Sequence, residues 1–160
     1  MKITIYILTI ISTLALVSCN TKSPKEFDTT LIEEEVKQML MAYDDSVRKN
    51  GINGEFFFLD KSDAFYWVPP GYKYALHYDS ISKILLKNAP HFRYIDNSWE
   101  KLQIMGLSDQ YASFNGVINN YAITSDSDTI VTKLSETGIV VRRGNDWKLL
   151  SGQTVIIGHE

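Results

Sequence analysis

Cysteine is almost absent from the 160-residue sequence: there is one, Cys19. That excludes an intramolecular disulfide and any zinc or iron–sulfur centre built from several thiolates. Histidine is nearly as scarce. His77, His91 and His159 stand far apart with no His-x-His or His-Glu pair, so the spacing offers neither a metal site nor a bound cofactor. Positive charge is not in excess either: 16 Lys and Arg against 19 Asp and Glu leave a formal net charge of -3. Without a basic field to displace counterions from phosphates, nucleic acid is excluded as a partner. The same lack of a polybasic patch excludes adhesion to anionic lipid by charge. No phosphate loop or dinucleotide fingerprint occurs, and Ser151-Gly152 lacks the flanking pattern of a nucleophile elbow. Hydrophobic runs are short. The longest, Ile3 to Val17, falls below the ~18–20 residues that cross a bilayer as a helix.

That run is informative in itself. Met1-Lys2 supply a positive start, the apolar stretch has the length of a signal-peptide core, and it ends in Leu16-Val17-Ser18-Cys19. The ending resembles the lipobox of bacterial lipoproteins, in which a Leu, a small residue and a Cys mark signal removal and acylation of the thiol. The resemblance implies a signal peptide over 1–18, a lipidated Cys19, and a membrane anchor in the bacterial cell envelope, at the outer membrane or the periplasmic face. Buried methylenes contribute roughly 0.8 kcal/mol each, so two or more chains anchor a protein stably where one does not. The same run also fits a plain secretory signal with an incidental Cys, or a membrane helix with a short stub. Asn20 to Asp28 is polar, contains Pro24 and has no periodicity. It reads as a tether, giving a 19–29 linker ahead of one domain over 30–160.

Within that domain, Thr30-Leu31-Ile32-Glu33 has the capping-box pattern. Ile32, Val36, Met39, Leu40, Tyr43 and Val47 follow at spacings of three and four, which predicts an amphipathic helix over 30–49, stopped at Asn50-Gly51. A second helix fits Asp79 to Asn88, with Asp79 as its N-cap, Ile81, Ile84 and Leu85 as its buried face, and Pro90 beyond its end. Glu55 to Leu59 fits a short helix or a buried strand equally, and Ala64 to Val68 reads as a strand. After His91 long alternating segments predict strands at about 98–107, 111–124, 129–142 and 146–157, separated by turn-forming clusters. Helix, strand, helix and then an antiparallel meander make an α+β fold, with the sheet's apolar face buried against the helices.

Phe65-Tyr66-Trp67-Val68-Pro69-Pro70-Gly71-Tyr72, Glu136-Thr137-Gly138 and Asp146-Trp147-Lys148-Leu149-Leu150-Ser151-Gly152-Gln153 together resemble the nuclear-transport-factor-2-like (NTF2-like) superfamily. The resemblance is to its bacterial SnoaL-like and DUF4440-type members, over roughly residues 30 to 157. The resemblance implies a cone-shaped, strongly curved antiparallel sheet of the NTF2-like or cystatin-like kind, packed on N-terminal helices around a pocket of mixed polarity. Members include isomerases, dehydratases and cyclases as well as non-catalytic binding and association modules, so the fold does not choose a function. Many relatives carry a His after the Trp-Lys pattern of the last strand. Here Gln153 stands nearest to that place, and it is no base near neutral pH.

Glu136 is the best carboxylate for the pocket. Alternation puts it on the face shared with Leu134 and Val140, against the alternative of an outward Glu paired to a neighbouring Lys or Arg. His77, among Tyr72, Tyr74 and Tyr78, titrates near neutrality and is the second catalytic candidate, against a surface loop histidine. Tyr43, Trp67, Tyr72, Ser151 and Gln153 complete the predicted lining. Phe65, Tyr66 and Tyr74 are expected at the rim, Trp147 and Phe57 in the core. Three functions follow as expectations. The first is a lipid-anchored, non-catalytic pocket protein for a small, partly apolar molecule. The second is an acid–base isomerase, cyclase or dehydratase using Glu136 and His77. The third is an interaction module that forms a homodimer through the sheet's convex face.

Overall fold

A computed structural model describes residues 27 to 159. The predicted signal peptide, Cys19 and most of the tether lie outside the described residues. Helix α1 spans Thr29–Asn50, and its N-cap is Asp28, whose Oδ1 accepts from Leu31 N at 3.0 Å. The expected Thr30 capping box therefore gives way to an Asp two residues earlier. The side chain that reaches the free amides of the first turn takes the role. Phe27 packs on the core, so the folded unit already includes the end of the predicted tether. Ile32, Val36, Met39, Leu40 and Val47 are buried as the periodicity requires, and Asp44 is buried with them.

The chain leaves α1 through a 3-10 helix, Gly51–Phe57, and touches the sheet edge at Leu59, which forms a parallel bridge with Leu149. The ambiguous Glu55–Leu59 run is thus helical first and strand-like last. Phe57 ends up 65% exposed, not in the core, because the 3-10 turn points it outward while Phe58 packs on the core. Strand β1 is only Tyr66–Val68. Helix α2 spans Tyr78–Asn88, with His77 in place of Asp79 at its N-cap.

The meander follows as β2 (Phe92–Gly106), β3 (Tyr111–Thr124), β4 (Thr129–Arg143) and β5 (Asp146–His159). β2 starts well before the expected 98. Asp96, Asn97 and Ser98, polar enough to resemble a turn, are paired strand residues opposite Tyr121, Asn120 and Asn119. The sheet order is β1-β5-β4-β3-β2, antiparallel throughout except that β1 lies parallel to β5, so the curved sheet is mixed. Helix α1 packs chiefly on β2, whose Trp99, Leu102 and Ile104 join one core with Ala112, Phe114, Val140, Leu149 and Trp147 of the other strands. Each such Leu or Phe contributes roughly 2–3 kcal/mol by leaving water.

The sheet is not regular. Register shifts fall in β2 between Trp99 and Lys101, and along the β4–β5 pair between Ile139 and Val140 and between Lys133 and Leu134. A bulge inserts one residue and so reverses which side chains face the helices beyond it.

Candidate functional site

Between the concave face, α1, α2 and the 3-10 helix lies a cavity of about 450 Å³. Most of its wall is apolar: Val47 and Ile52 from the helical side, Ile81 and Leu85 from α2, Ile118 and Leu149 from the sheet. Pro69, Pro70 and Tyr72 line it as well. A few polar groups interrupt this wall, and their positions follow from strand parity. Along β4, alternation sends Thr132, Leu134 and Glu136 to the cavity side. In β5 the register shift opposite Val140 skips Leu150, so parity reverses and Thr154 and Ile156 line the cavity.

Glu136 is 8% exposed. Directly across from it in the ladder, Thr154 donates its hydroxyl to Glu136 Oε2 at 3.0 Å, and Trp67 Nε1–H donates to Thr154 Oγ1 at 3.0 Å. The three make a fixed relay from indole to hydroxyl to carboxyl. Burial pushes the Glu136 pKa up to about 8. The Thr154 hydrogen bond opposes that, and repulsion from Glu55 and Asp44 adds to it.

Glu55 reaches the same cavity from the 3-10 helix and is itself pushed up to about 7 by burial, against a hydrogen bond from Tyr43. Tyr43 and Glu55 keep some exposed surface because they open on the cavity. The Tyr43 hydroxyl is raised well above its ordinary value by burial first, then by the negative groups Glu55, Glu136 and Asp44. On the cavity's β2–β3 side, Asn120 Nδ2 donates to Asn97 Oδ1 at 2.7 Å.

Asp44 sits behind this wall, 4% exposed, and does not line the cavity. Its pKa rises to about 7 through burial. The Trp99 indole lowers it in part, yet Asp44 Oδ1 and Trp99 Nε1 are both buried without a well-formed hydrogen bond. The nearby Arg48 is engaged by Asp45 and Asp96, each at 2.6 Å.

Of the predicted site residues, the structure brings Tyr43, Trp67, Tyr72 and Glu136 to one cavity. His77 is not among them. It is exposed at the start of α2, and its ring Nδ1–H donates to the Phe65 carbonyl at 3.0 Å, fastening the loop. Ser151 and Gln153 are also absent from the wall. They pair with Tyr66 and Val68 of β1 and lie on the opposite face, Gln153 exposed, because the bulge at Leu150 reversed the parity that unbroken alternation from Trp147 would give. Phe65 is fully buried against the cavity, while Tyr66 and Tyr74 face solvent. Trp147 is buried, donating Nε1–H to Glu35 Oε2 at 3.0 Å beneath the Arg142 guanidinium, and plays no part in the cavity. Glu55, Thr154 and the Asn97–Asn120 pair went unread in the sequence. Only Glu55 gave a signal, as a lone acid beside an aromatic run. Among the described residues no group of three or more His, Cys, Asp or Glu is arranged to hold a metal ion.

Solved structures share this architecture. A scytalone-dehydratase-like protein from Novosphingobium aromaticivorans has a TM-score of 0.71 at 15% identity, over 83% of this chain and 89% of that one. A dehydratase-like protein of the NTF2-like family from Streptomyces avermitilis has a TM-score of 0.67 at 16% identity, over 81% and 99%. A hexachlorocyclohexane dehydrochlorinase from Novosphingobium barchaimii has a TM-score of 0.64 at 11% identity, over 82% and 90%. At such identities the likeness speaks to fold alone. No protein-family model matches the sequence, and neither does any curated protein.

Proposed function

From the NTF2-like fold that this chain adopts, we propose that it is a lipid-anchored envelope protein whose cone binds a small, largely apolar molecule bearing one polar group. The observation that carries the reading is a cavity of about 450 Å³ with an apolar wall and a buried carboxyl held by Thr154 and Trp67. Such a volume suits a compact organic ligand, and a few fixed polar groups in an apolar wall are what orient one. The Leu16-Val17-Ser18-Cys19 sequence supports the anchor. Thermal-shift screening of the whole chain against small apolar compounds tests the pocket. Stabilisation that saturates, and that Ile118→Trp abolishes by filling the cavity, is the expected result. No stabilisation by any compound that fits the volume removes the proposal.

A second reading, acid–base catalysis, has its own support. Glu136 at about 8 and Glu55 at about 7 titrate near working pH on one cavity, which is what proton transfer requires. His77 has no share in it. Recovery of a bound ligand unchanged favours binding. Recovery as an isomer or elimination product, lost in Glu136→Gln, favours catalysis. The convex face carries Met105, Tyr111, Tyr121 and Val155 in exposed positions, a surface that a homodimer would cover. Sedimentation of the chain as a monomer at tens of micromolar would dismiss that association.

A further inference from the structure

The cavity wall carries acid without base. Glu55 and Glu136 line it, and among the described residues no Lys, Arg or His stands with them. Two sheltered carboxylates elsewhere are paired with arginine, Asp60 with Arg143 at 2.7 Å and Glu35 with Arg142, whereas Asp44 behind the wall is not. In the cavity the neighbours that favour the charged form of the two carboxyls are hydroxyls: Thr154, which donates to Glu136, and Tyr43, which holds the Glu55 pKa back against burial. A hydroxyl offers a single proton to a group with about four lone-pair sites. Among the described residues no hydrogen bond reaches Oε1 of Glu136.

Every element packed round the cavity repeats the deficit. α1 presents Tyr43, with Asp44 behind it, the 3-10 helix presents Glu55, β4 presents Thr132 and Glu136, and β1 and β5 present Trp67 and Thr154. Towards the cavity α2 contributes one polar residue, Asn88, and β2 and β3 contribute Asn97 and Asn120. None of these is cationic. The aromatic rings of Tyr43, Phe65, Trp67 and Tyr72 share the wall, and aromatic faces attract positive charge.

We infer that the ligand of this cavity is an organic monocation, an ammonium-type nitrogen on an apolar body, whose charge lies in the field of Glu55 and Glu136 against the aromatic wall. The inference rests on the pocket-binding reading above and names its ligand class. The body replaces water along the apolar side. The nitrogen supplies the positive partner that the protein's own side chains withhold. Because burial keeps both carboxyls partly protonated near neutral pH, binding of a permanent cation converts Glu–COOH to Glu–COO⁻ and releases the proton to solvent.

Phenyltrimethylammonium and its neutral isostere tert-butylbenzene differ in charge and hardly in shape, so they separate charge recognition from filling of the hollow. Binding of both to the whole chain is measured by calorimetry at pH 5.5, 7 and 8.5, in buffers of unequal ionisation enthalpy. The cation is expected to bind at least tenfold tighter than the isostere at pH 8.5, to release protons at pH 7, and to lose its advantage at pH 5.5. The Glu55→Gln/Glu136→Gln variant is expected to bind the two probes equally. Should it not fold, the pH series on the unaltered chain decides alone. An isostere bound as tightly as the cation at pH 8.5, or a cation that releases no proton at pH 7, overturns the inference and leaves the pocket standing. Failure of both probes overturns it too, and failure of the neutral compounds in the thermal screen as well brings down the pocket reading.

Discussion

Asp44→Asn keeps the shape of a buried side chain and removes its charge, which isolates the energy stored there. In the folded chain burial raises the Asp44 pKa to about 7, while Trp99 and Arg48 pull the other way. In the unfolded chain an Asp titrates near ~3.9. The folded value is the higher one, so the proton favours the fold. That contribution is fully present below pH ~4 and is lost as pH rises through about 7, beyond which the folded protein holds a buried charge with no cation of its own. Roughly three units at about 1.36 kcal/mol each set the loss near 4 kcal/mol, an upper bound because the site relaxes around the charge. Against a total stability of ~5–15 kcal/mol that is a large fraction. The assay is urea unfolding at pH 5 and pH 8.5, followed by tryptophan fluorescence. Glu55 and Glu136 are raised too, so both proteins weaken as pH rises, and the informative quantity is the gap between them. We expect the margin of Asp44→Asn over the unaltered chain to widen by about 2 kcal/mol or more between pH 5 and pH 8.5, because at pH 5 the unfolded Asp is already ionised while the folded one is not. A gap constant within roughly 0.5 kcal/mol across that range would refute the claim that Asp44 is a costly buried anion.

Other outcomes follow from single contacts. Gly152→Ala should cost about 1–3 kcal/mol in chemical denaturation, since a Cβ there would stand 2.4 Å from the Thr137 carbonyl oxygen and 2.6 Å from the Trp67 ring. Unchanged stability would mean that the ring is not held against the strand. Trp67→Phe removes the N–H that Thr154 accepts and should cost about 1–2 kcal/mol, with a matching loss of ligand affinity in calorimetry. Arg143→Ala leaves the 6%-exposed Asp60 carboxylate with Ser62 alone. It should destabilise by about 1–3 kcal/mol near neutral pH, and by less as pH falls through the depressed Asp60 pKa, because the pair that holds that pKa down is gone. Cys19→Ala should move the protein from the membrane fraction to the soluble one, and unchanged fractionation would end the anchor proposal.

The sequence disclosed what repeats and concealed what breaks repetition. The α1 stripe from Ile32 to Val47 was legible because helical spacing and burial agree, and the last three strands because alternation runs long between clear turns. Glu136 was legible for the same reason, since nothing shifts register between it and Leu134. Ser151 and Gln153 were misplaced because one extra residue at Leu150 reverses parity, and a bulge leaves no mark in composition. The partner of Glu136, Thr154, was hidden by the same residue. Asp44 was passed over because a polar residue on an apolar stripe looks like the edge of the stripe until its neighbours are placed. His77 drew attention through its titration range, yet its ring serves a backbone carbonyl.

The same irregularities explain why there is a hollow at all. A flat, regularly alternating sheet would press its large side chains straight onto α1 and fill the space. Here the Phe114 ring lies across Gly138 of the next strand, within 2.9 Å of where a Cβ would stand, and the Trp67 ring lies across Gly152 in the same way. The glycines let bulky rings lie down along the sheet instead of standing up into the cavity, and the sheet bends round them. Because Gly138 and Gly152 face each other in the β4–β5 ladder, and Glu136 and Thr154 form the next such pair on that side, the flattened Trp67 ring brings its indole N–H to Thr154 and thence to the carboxyl. Curvature, empty volume and the anchoring of Glu136 are therefore one arrangement. A side chain at either glycine that lifted its ring would shrink the hollow and loosen the acid together.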